Sequence, residues 1–407
     1  MLNYFENNNN MLALTGAEAA AEAMKQIEPG VVPIYPITPQ TPIIEKFAAY
    51  VAKGKVNSEL ITAESEHSVM SAAIGAAAAG SRAMTATSSV GLALMYEMLN
   101  IASGMRLPIV MNVANRALSA PINIHCDHSD TMGVRESGWI QIYCETAQEA
   151  YDNTILAVKL AEHKKVLLPV IVTQDGFITS HLMEKVETVA DDKVRKFVGN
   201  YHYPYSLFDS SKKLTFGSLM LPNYFFEAKV AQFQAMENAR KIYKQVAADW
   251  ETIAGRKCSE IENYLVDNKT EAVIITMSAG AGTAKELAKE LNDRGYKVGV
   301  VKIKLFRPFP YEELRATIKN IDNIAVLDRT LSFGSIPPLY SEVVQTLSME
   351  TRRHPTSKEQ NRKQKIQSYV FGLGGRDLRE KDVEGVYADL LSNKFSSETK
   401  FLNLNIQ

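Results

Sequence analysis

The chain has 407 residues, 46% of them apolar, and a formal net charge of −1, so it can bury a large core and its length favours two domains or three. Near-zero charge with no lysine or arginine run leaves no electrostatic footprint for nucleic acid or an anionic membrane, and no apolar run approaches the roughly 20 residues that span a bilayer. Three cysteines without C-x-x-C spacing, Cys126, Cys144 and Cys258, argue against a disulfide framework or a cysteine-held cluster and for a reducing cytoplasm.

The Asn-rich stretch 1–11 reads as a disordered leader. From Leu12 to about His181 short apolar runs alternate with helical patterns, which is the signature of a mostly parallel sheet covered by helices. Strands are expected over 31–35, 60–62, 82–87, 108–113 and 167–173. The first helix carries a capping box, Thr15 to Glu18, and stops at Pro29-Gly30. The next is expected to open with Thr41 as cap and Pro42 at its first position. Residues 71–80 (SAAIGAAAAG) form a helix smooth enough for close packing. An aromatic-rich stretch with Tyr201, Tyr203, Tyr205 and Phe208 leads into one long helix, whose Phe226, Val230, Phe233, Ile242, Val246, Trp250 and Ile253 predict a single buried stripe. A second α/β unit begins near Glu271, with strands over 272–277, 297–303 and 324–327 and a helix over 283–292. Its Gly280-x-Gly282 loop lacks the third glycine and the downstream acid of a dinucleotide fingerprint, so it reads as a plain strand-to-helix turn. Residues 357–365 read as a solvated, mobile segment.

Three groups fall just past the carboxyl ends of strands, where open α/β sheets place ligands. In Tyr35-Pro-Ile-Thr-Pro39, the Thr38 hydroxyl beside a helix N-terminus is a seat for a carboxylate, though for the motif alone a proline-stiffened turn whose threonine only caps is the better reading. In Glu64-Ser-Glu-His67, a glutamate opening a close-packed helix is partly desolvated and suited to exchange a proton with a ring nitrogen. The bland reading is an acid complementing the helix dipole. In Asn115-Arg116, the guanidinium can fork onto a carboxylate or make a structural ion pair. His125-Cys-Asp-His128 with Asp130 has metal-ligand residue types but no open-site pattern, so ordering of the loop by Asp127 and Asp130 is the expectation, with no metal held by this chain.

The strings YPITPQTPIIE (35–45), AESEHSVMSAAIGAAAAG (63–80), TATSSVGLALMYE (85–97), NRALSAPINIHCDHSD (115–130), RESGWIQ (135–141), DGFITSH (175–181), FRPFP (306–310) and VLDR (326–329) together resemble the alpha subunit of multi-subunit pyruvate:ferredoxin oxidoreductases, in order over residues 12 to 390. The resemblance implies an α/β protein with a doubly wound pyrimidine-binding domain of the thiamine diphosphate enzymes (12–257, with the long helix). A transketolase C-terminal-like α/β domain follows (258–407). It implies oxidative decarboxylation of pyruvate to acetyl-coenzyme A with electrons passed to ferredoxin. Another 2-oxoacid, branched-chain, 2-oxoglutarate or oxalate, is the alternative. By motif, Thr38 and Arg116 would hold the substrate carboxylate, and Glu66 would bond the ring nitrogen of the cofactor's aminopyrimidine, with Glu64 as the neighbour to be told apart from it. The chain has no G-D-G followed by N-N and no cluster cysteines. Magnesium, the diphosphate grip and [4Fe-4S] clusters would therefore come from partner beta, gamma and delta subunits, in a dimer of heteromers active only when assembled.

Overall fold

The computed structural model describes residues 10–353 and 364–405. The first unit runs β1 (Asn10–Thr15), α1 (Gly16–Ile27), β2 (Val31–Ile34), α2 (Thr41–Ala52), β3 (Glu59–Thr62), α3 (Glu66–Ala79), β4 (Met84–Thr87), α4 (Ser89–Leu94), α5 (Tyr96–Gly104), β5 (Val110–Asn115), α6 (Ser129–Gly133), β6 (Ile140–Cys144), α7 (Ala147–Ala161), β7 (Val170–Asp175), β8 (Met183–Thr188), α8 (Asp191–Val198) and α9 (Pro222–Ala254). The second runs β9 (Ile261–Tyr264), β10 (Ala272–Thr276), α10 (Gly280–Asp293), β11 (Val298–Ile303), β12 (Leu305–Arg307), α11 (Tyr311–Ile318), β13 (Asn323–Asp328), α12 (Pro338–Arg353), β14 (Lys365–Val370), α13 (Glu380–Leu391) and β15 (Lys400–Phe401).

In the first sheet β4, β5, β7 and β6 lie parallel in that order, and the parallel pair β2 and β3 joins them through a bridge between Val31 and Ala83. Helices cover both faces, which is why the central strands are buried along their whole length, polar Thr85, Asn112 and Thr173 included. Successive residues still divide between two cores. Val110, Val170 and Val172 pack with α1 and α7, whereas Met111, Val113 and Ile171 pack with α3 and α5. The second sheet, ordered β15-β14-β13-β10-β11-β9, is parallel except for β9, with Val273 and Ile275 facing α11 and α12 and Ile274 facing α10 and α13.

The two units are stitched together. Strand β12 leaves the second sheet and pairs antiparallel with β6 of the first. Buried Lys302 and Lys304 reach Glu149 on α7 at 2.9 and 2.8 Å. Burial pushes the Glu149 carboxyl up, but Lys304 and Lys302 outweigh it and hold the group well below the usual carboxylate range.

Several expectations need correction. The first strand starts at Asn10, so the end of the 1–11 leader pairs with β8; residues 1–9 lie outside the described residues. Gln40, not Thr41, precedes the first turn of α2, and Pro42 is its second residue. Along α9 only the C-terminal part of the stripe is buried. Ile242, Val246 and Trp250 pack into the core, whereas Phe226 and Phe233 are 72% and 66% exposed, because that half of α9 meets the body through Ala231 and Ala235 instead. Helix α10 begins at Gly280 rather than 283; a Cβ there would stand 2.6 Å from the Phe371 ring, so close packing explains that glycine. Most of 357–365 lies outside the described residues, but Gln364 donates to the carbonyls of Ile318 and Ile321 and Lys365 opens β14.

Candidate functional site

The three sequence candidates sit at the C-terminal ends of β2, β3 and β5. Glu66 is the first residue of α3, whose cap is Ser65: its hydroxyl accepts from the Ser68 N–H. The turn buries Glu66 to 7% exposure and leaves Glu64 exposed, hydrogen-bonded by the Ser68 hydroxyl. Among the described residues the Glu66 carboxylate has neither an ion-pair partner nor a hydrogen-bond donor. It lies against Gly91, where a Cβ would stand 2.5 Å from Glu66 Oε1 and 2.7 Å from Thr87 Oγ1. The Thr87 hydroxyl is itself buried without a partner. Buried polar groups are normally paired, so an orphan carboxylate beside an orphan hydroxyl marks a place where a ligand supplies the missing partner.

Thr38 and Arg116 are in direct contact. The PITP turn is closed by the Gln40 N–H on the Ile37 carbonyl at 2.8 Å, and the Gln40 side chain ties it to the Ala86 carbonyl at the end of β4. Arg116, 7% exposed, donates from Nη1 to the Thr38 carbonyl at 2.9 Å and from Nε to the Asn123 carbonyl at 3.0 Å. Those two bonds fix the guanidinium plane and leave Nη2 free of any protein partner among the described residues. Thr38 itself is exposed on the same turn. Glu66 bonds neither residue; the turn from Thr87 to Gly91 lies between them. In that turn Ser88 and Ser89 donate to the carbonyls of Ala114 and Ala117, each at 2.6 Å, on either side of Arg116.

The pivot of this arrangement is Asp130. Its carboxylate accepts from the N–H groups of Ser89 and Arg116, both at 3.0 Å, from the Asn115 amide at 2.8 Å and from the Thr131 N–H at 2.7 Å. Burial pushes its carboxyl up to about 6 in spite of those donors. Asp127 likewise orders the loop, accepting from Ser129 N–H at 2.9 Å. His128 turns inward to Asp175 at 2.8 Å, and Arg329 of the second unit takes the other Asp175 oxygen at 2.8 Å. Burial would raise the Asp175 carboxyl, but Arg329 and then His128 bring it down to about 2. Cys126, His128 and Asp175 cluster closely enough for a cation, but the arginine already neutralises that carboxylate. Gly91, Thr87, Asp175 and Arg329 were given no role of their own from the sequence; the glycine after Asp175, at the end of a strand, is the signal that could have found one, since a Cβ on Gly176 would stand 2.7 Å from the Pro39 ring.

Two α/β units with ligand loops at the strand ends belong here to an oxidoreductase subunit with a thiamine diphosphate-binding domain, as its likeness to known proteins shows. The chain belongs to the pyruvate:flavodoxin/ferredoxin oxidoreductase family: residues 22–248 match the thiamine diphosphate-binding domain of that family and residues 270–383 match core domain II of pyruvate:ferredoxin oxidoreductase. The pyruvate synthase subunit PorA of Thermotoga maritima is 50% identical over 394 residues, 97% of this chain and 98% of that one. A solved 2-oxoglutarate:ferredoxin oxidoreductase from Magnetococcus marinus, with 2-oxoglutarate, coenzyme A and succinyl-CoA bound, shares the fold at TM-score 0.70 and 19% identity, over 95% of this chain and 66% of that chain. A split-gene transketolase, an inactive beta4 tetramer, shares it at TM-score 0.54 and 12% identity, over 94% of this chain and 99% of that one. The chain is thus an oxidoreductase subunit with the α/β architecture that the motifs implied. Among the described residues no helix is long and apolar enough to cross a membrane.

Proposed function

We propose that this chain, divided into a pyrimidine-binding domain at 12–257 and a transketolase-like domain at 258–407, grips the 2-oxoacid and one end of thiamine diphosphate in a multi-subunit pyruvate:ferredoxin oxidoreductase. The assembly would convert pyruvate and coenzyme A to acetyl-coenzyme A and carbon dioxide, reversibly, with electrons passed to ferredoxin. The observation that carries this reading is the Glu66 carboxylate, buried without a partner beside Gly91 and the orphan Thr87 hydroxyl. Those residues fit an aminopyrimidine. Glu66 would hold and return a proton at its ring nitrogen, and glycine at 91 leaves the room that a side chain would fill. When bound, thiamine diphosphate supplies a nucleophilic carbon and an electron sink for loss of carbon dioxide. Arg116 Nη2 and the Thr38 hydroxyl would receive the substrate carboxylate, the arginine giving the charge and the threonine a neutral donor.

Magnesium and the diphosphate grip would come from a beta subunit, and the [4Fe-4S] clusters from gamma and delta subunits, in a dimer of heteromers. We place the complex in the cytoplasm, where the unpaired Cys126, Cys144 and Cys258 stay reduced. Carboxylate contacts serve every 2-oxoacid, so branched-chain 2-oxoacids, 2-oxoglutarate and oxalate remain the alternatives. Pyruvate is favoured because the relative at 50% identity is named for it. Glu66→Gln in the assembled complex tests the reading: the amide keeps the size but cannot relay the proton, so turnover should fall by about 10²–10⁴-fold while assembly survives. Near-wild-type turnover would move the role elsewhere.

A further inference from the structure

The 116–126 loop that carries Arg116 is held from behind by the second unit. Asn123 has three jobs, one of them within its own turn, where its Oδ1 accepts the His125 N–H at 2.7 Å. Its backbone carbonyl receives Arg116 Nε at 3.0 Å, and its side-chain amide donates to the Gly374 carbonyl at 3.1 Å. One residue on, the same turn donates the Gly375 N–H to the Cys126 carbonyl at 2.7 Å. The turn that makes this contact has left-handed backbone at Gly372, Gly374 and Gly375, with φ of 66°, 59° and 83°. Side chains at 374 or 375 would collide with Asn123 or His125. Arg329 holds the turn and the loop at once. Its Nε donates to the Gly372 carbonyl at 3.2 Å, its Nη1 to Asp175, and its own carbonyl accepts the His128 N–H at 3.0 Å. Asp175 returns through His128 at 2.8 Å, and Gly176 after it wedges between Asn115 and Pro39. The arginine clamp is therefore enclosed on both sides by ties that start in the second unit.

We propose that Asn123 and Arg329 are positioning residues for the carboxylate clamp: through the 372–375 turn, the second unit sets the orientation of the Arg116 guanidinium. The proposal rests on the reading of Arg116 as the clamp and deepens it. The ties do not touch the Glu66 pocket, so loosening them should affect the 2-oxoacid and spare the cofactor. Removing the Asn123 side chain cuts the tie to Gly374 together with the local bond from the His125 N–H, and leaves the carbonyl that holds Arg116, so the loop is loosened rather than lost. Arg329→Lys keeps a charge opposite Asp175, but a single ammonium cannot also reach Gly372.

The experiment uses the complex coexpressed with its partner subunits, assayed with pyruvate at saturating coenzyme A and electron acceptor. Asn123→Ala, Arg329→Lys, Arg116→Ala and the double variant Asn123→Ala/Arg116→Ala are compared for KM, kcat and thiamine diphosphate affinity. Displacing a reacting group slightly costs on the order of ten- to a hundredfold. The expected result is an increase of about tenfold in KM for pyruvate in Asn123→Ala and Arg329→Lys, with unchanged cofactor affinity. The double variant should be no worse than Arg116→Ala, since a positioning effect vanishes with the residue it positions. Wild-type KM in Asn123→Ala and Arg329→Lys alongside an impaired Arg116→Ala overturns the positioning role and leaves the clamp standing. Multiplicative losses in the double variant do the same. If Arg116→Ala itself is unimpaired, the clamp reading falls and this inference with it. Should Arg329→Lys fail to assemble, Asn123→Ala and the double variant decide alone.

Discussion

Replacing Arg116 by alanine should damage the use of pyruvate far more than the fold. The guanidinium makes two bonds to protein, both to backbone carbonyls, at Thr38 and Asn123. Thr38 is exposed and Asn123 only half-buried, so water can take over both carbonyls and no unpaired charge is left behind, which makes the structural penalty small. The functional loss is different in kind. A carboxylate leaving water needs a charged donor, and hydrogen bonds to charged groups are worth roughly 1.5–3 kcal/mol, so kcat/KM for pyruvate should drop on the order of tenfold to a hundredfold or more. Thr38→Val removes one neutral hydroxyl from an exposed turn and should cost less. Steady-state kinetics of the assembled complex, run beside titrations of thiamine diphosphate, separate substrate from cofactor effects. Wild-type efficiency in both variants, or loss of cofactor affinity in place of pyruvate affinity, would refute the assignment of Thr38 and Arg116 to the carboxylate.

The isolated chain should bind thiamine diphosphate only weakly and show no activity, because it offers the pyrimidine end alone; sub-micromolar binding by calorimetry would contradict a shared site. Gly91→Ala should push on the Glu66 carboxylate, since a Cβ there would lie 2.5 Å from Oε1, and should lower activity on the order of ten- to a hundredfold at fixed cofactor; full activity would show that the pocket needs no such clearance. Asp328 is fully buried, and burial raises its carboxyl to about 7 although the N–H groups of Leu339 and Tyr340 point at it. A carboxyl raised in the folded state keeps a proton that the unfolded chain releases, so it costs stability as pH rises from about 4 to about 7, by up to about 4 kcal/mol. Asp328→Asn should flatten that part of the profile, seen as a smaller fall in melting temperature between pH 5 and pH 7.5 than the wild type shows.

Much of the architecture was legible because local chemistry and burial agree. Thr15 and Glu18 announce α1 by a capping box that forms as written, and β4, β5 and β7 are buried along their whole length because helices cover both faces. The failures occur where tertiary packing decides. Strand β12 has only three residues and takes its place by pairing with β6, more than 160 positions earlier in the chain, so no local pattern distinguishes it from a loop. Phe226, Val230 and Phe233 obey helical spacing as well as Ile242 and Val246 do, but periodicity specifies a face without specifying what lies against it.

The candidate site divides along the same line. Thr38 and Arg116 lie in loops after strands and Glu66 opens the helix that follows one, which a one-dimensional reading can place, and the cap at Ser65 then decides which of two glutamates turns inward. The groups that aim them belong to another class. Asp130 joins Ser89 to Arg116, Gly91 makes room for Glu66, and Arg329 reaches Asp175 across 154 positions of sequence. None of these residues has a neighbour in sequence that explains it. Asp130 resembles one ligand of an H-x-x-H cluster, Gly91 one small residue in a run of small residues, and Arg329 a charge at the end of a strand. Only Arg329 comes from the second unit; Asp130 and Gly91 take their roles from contacts inside the first, at Ser89, Arg116 and Glu66. Within the first unit Glu66 is left buried and, among the described residues, unpaired, and a carboxylate in that state calls for a partner.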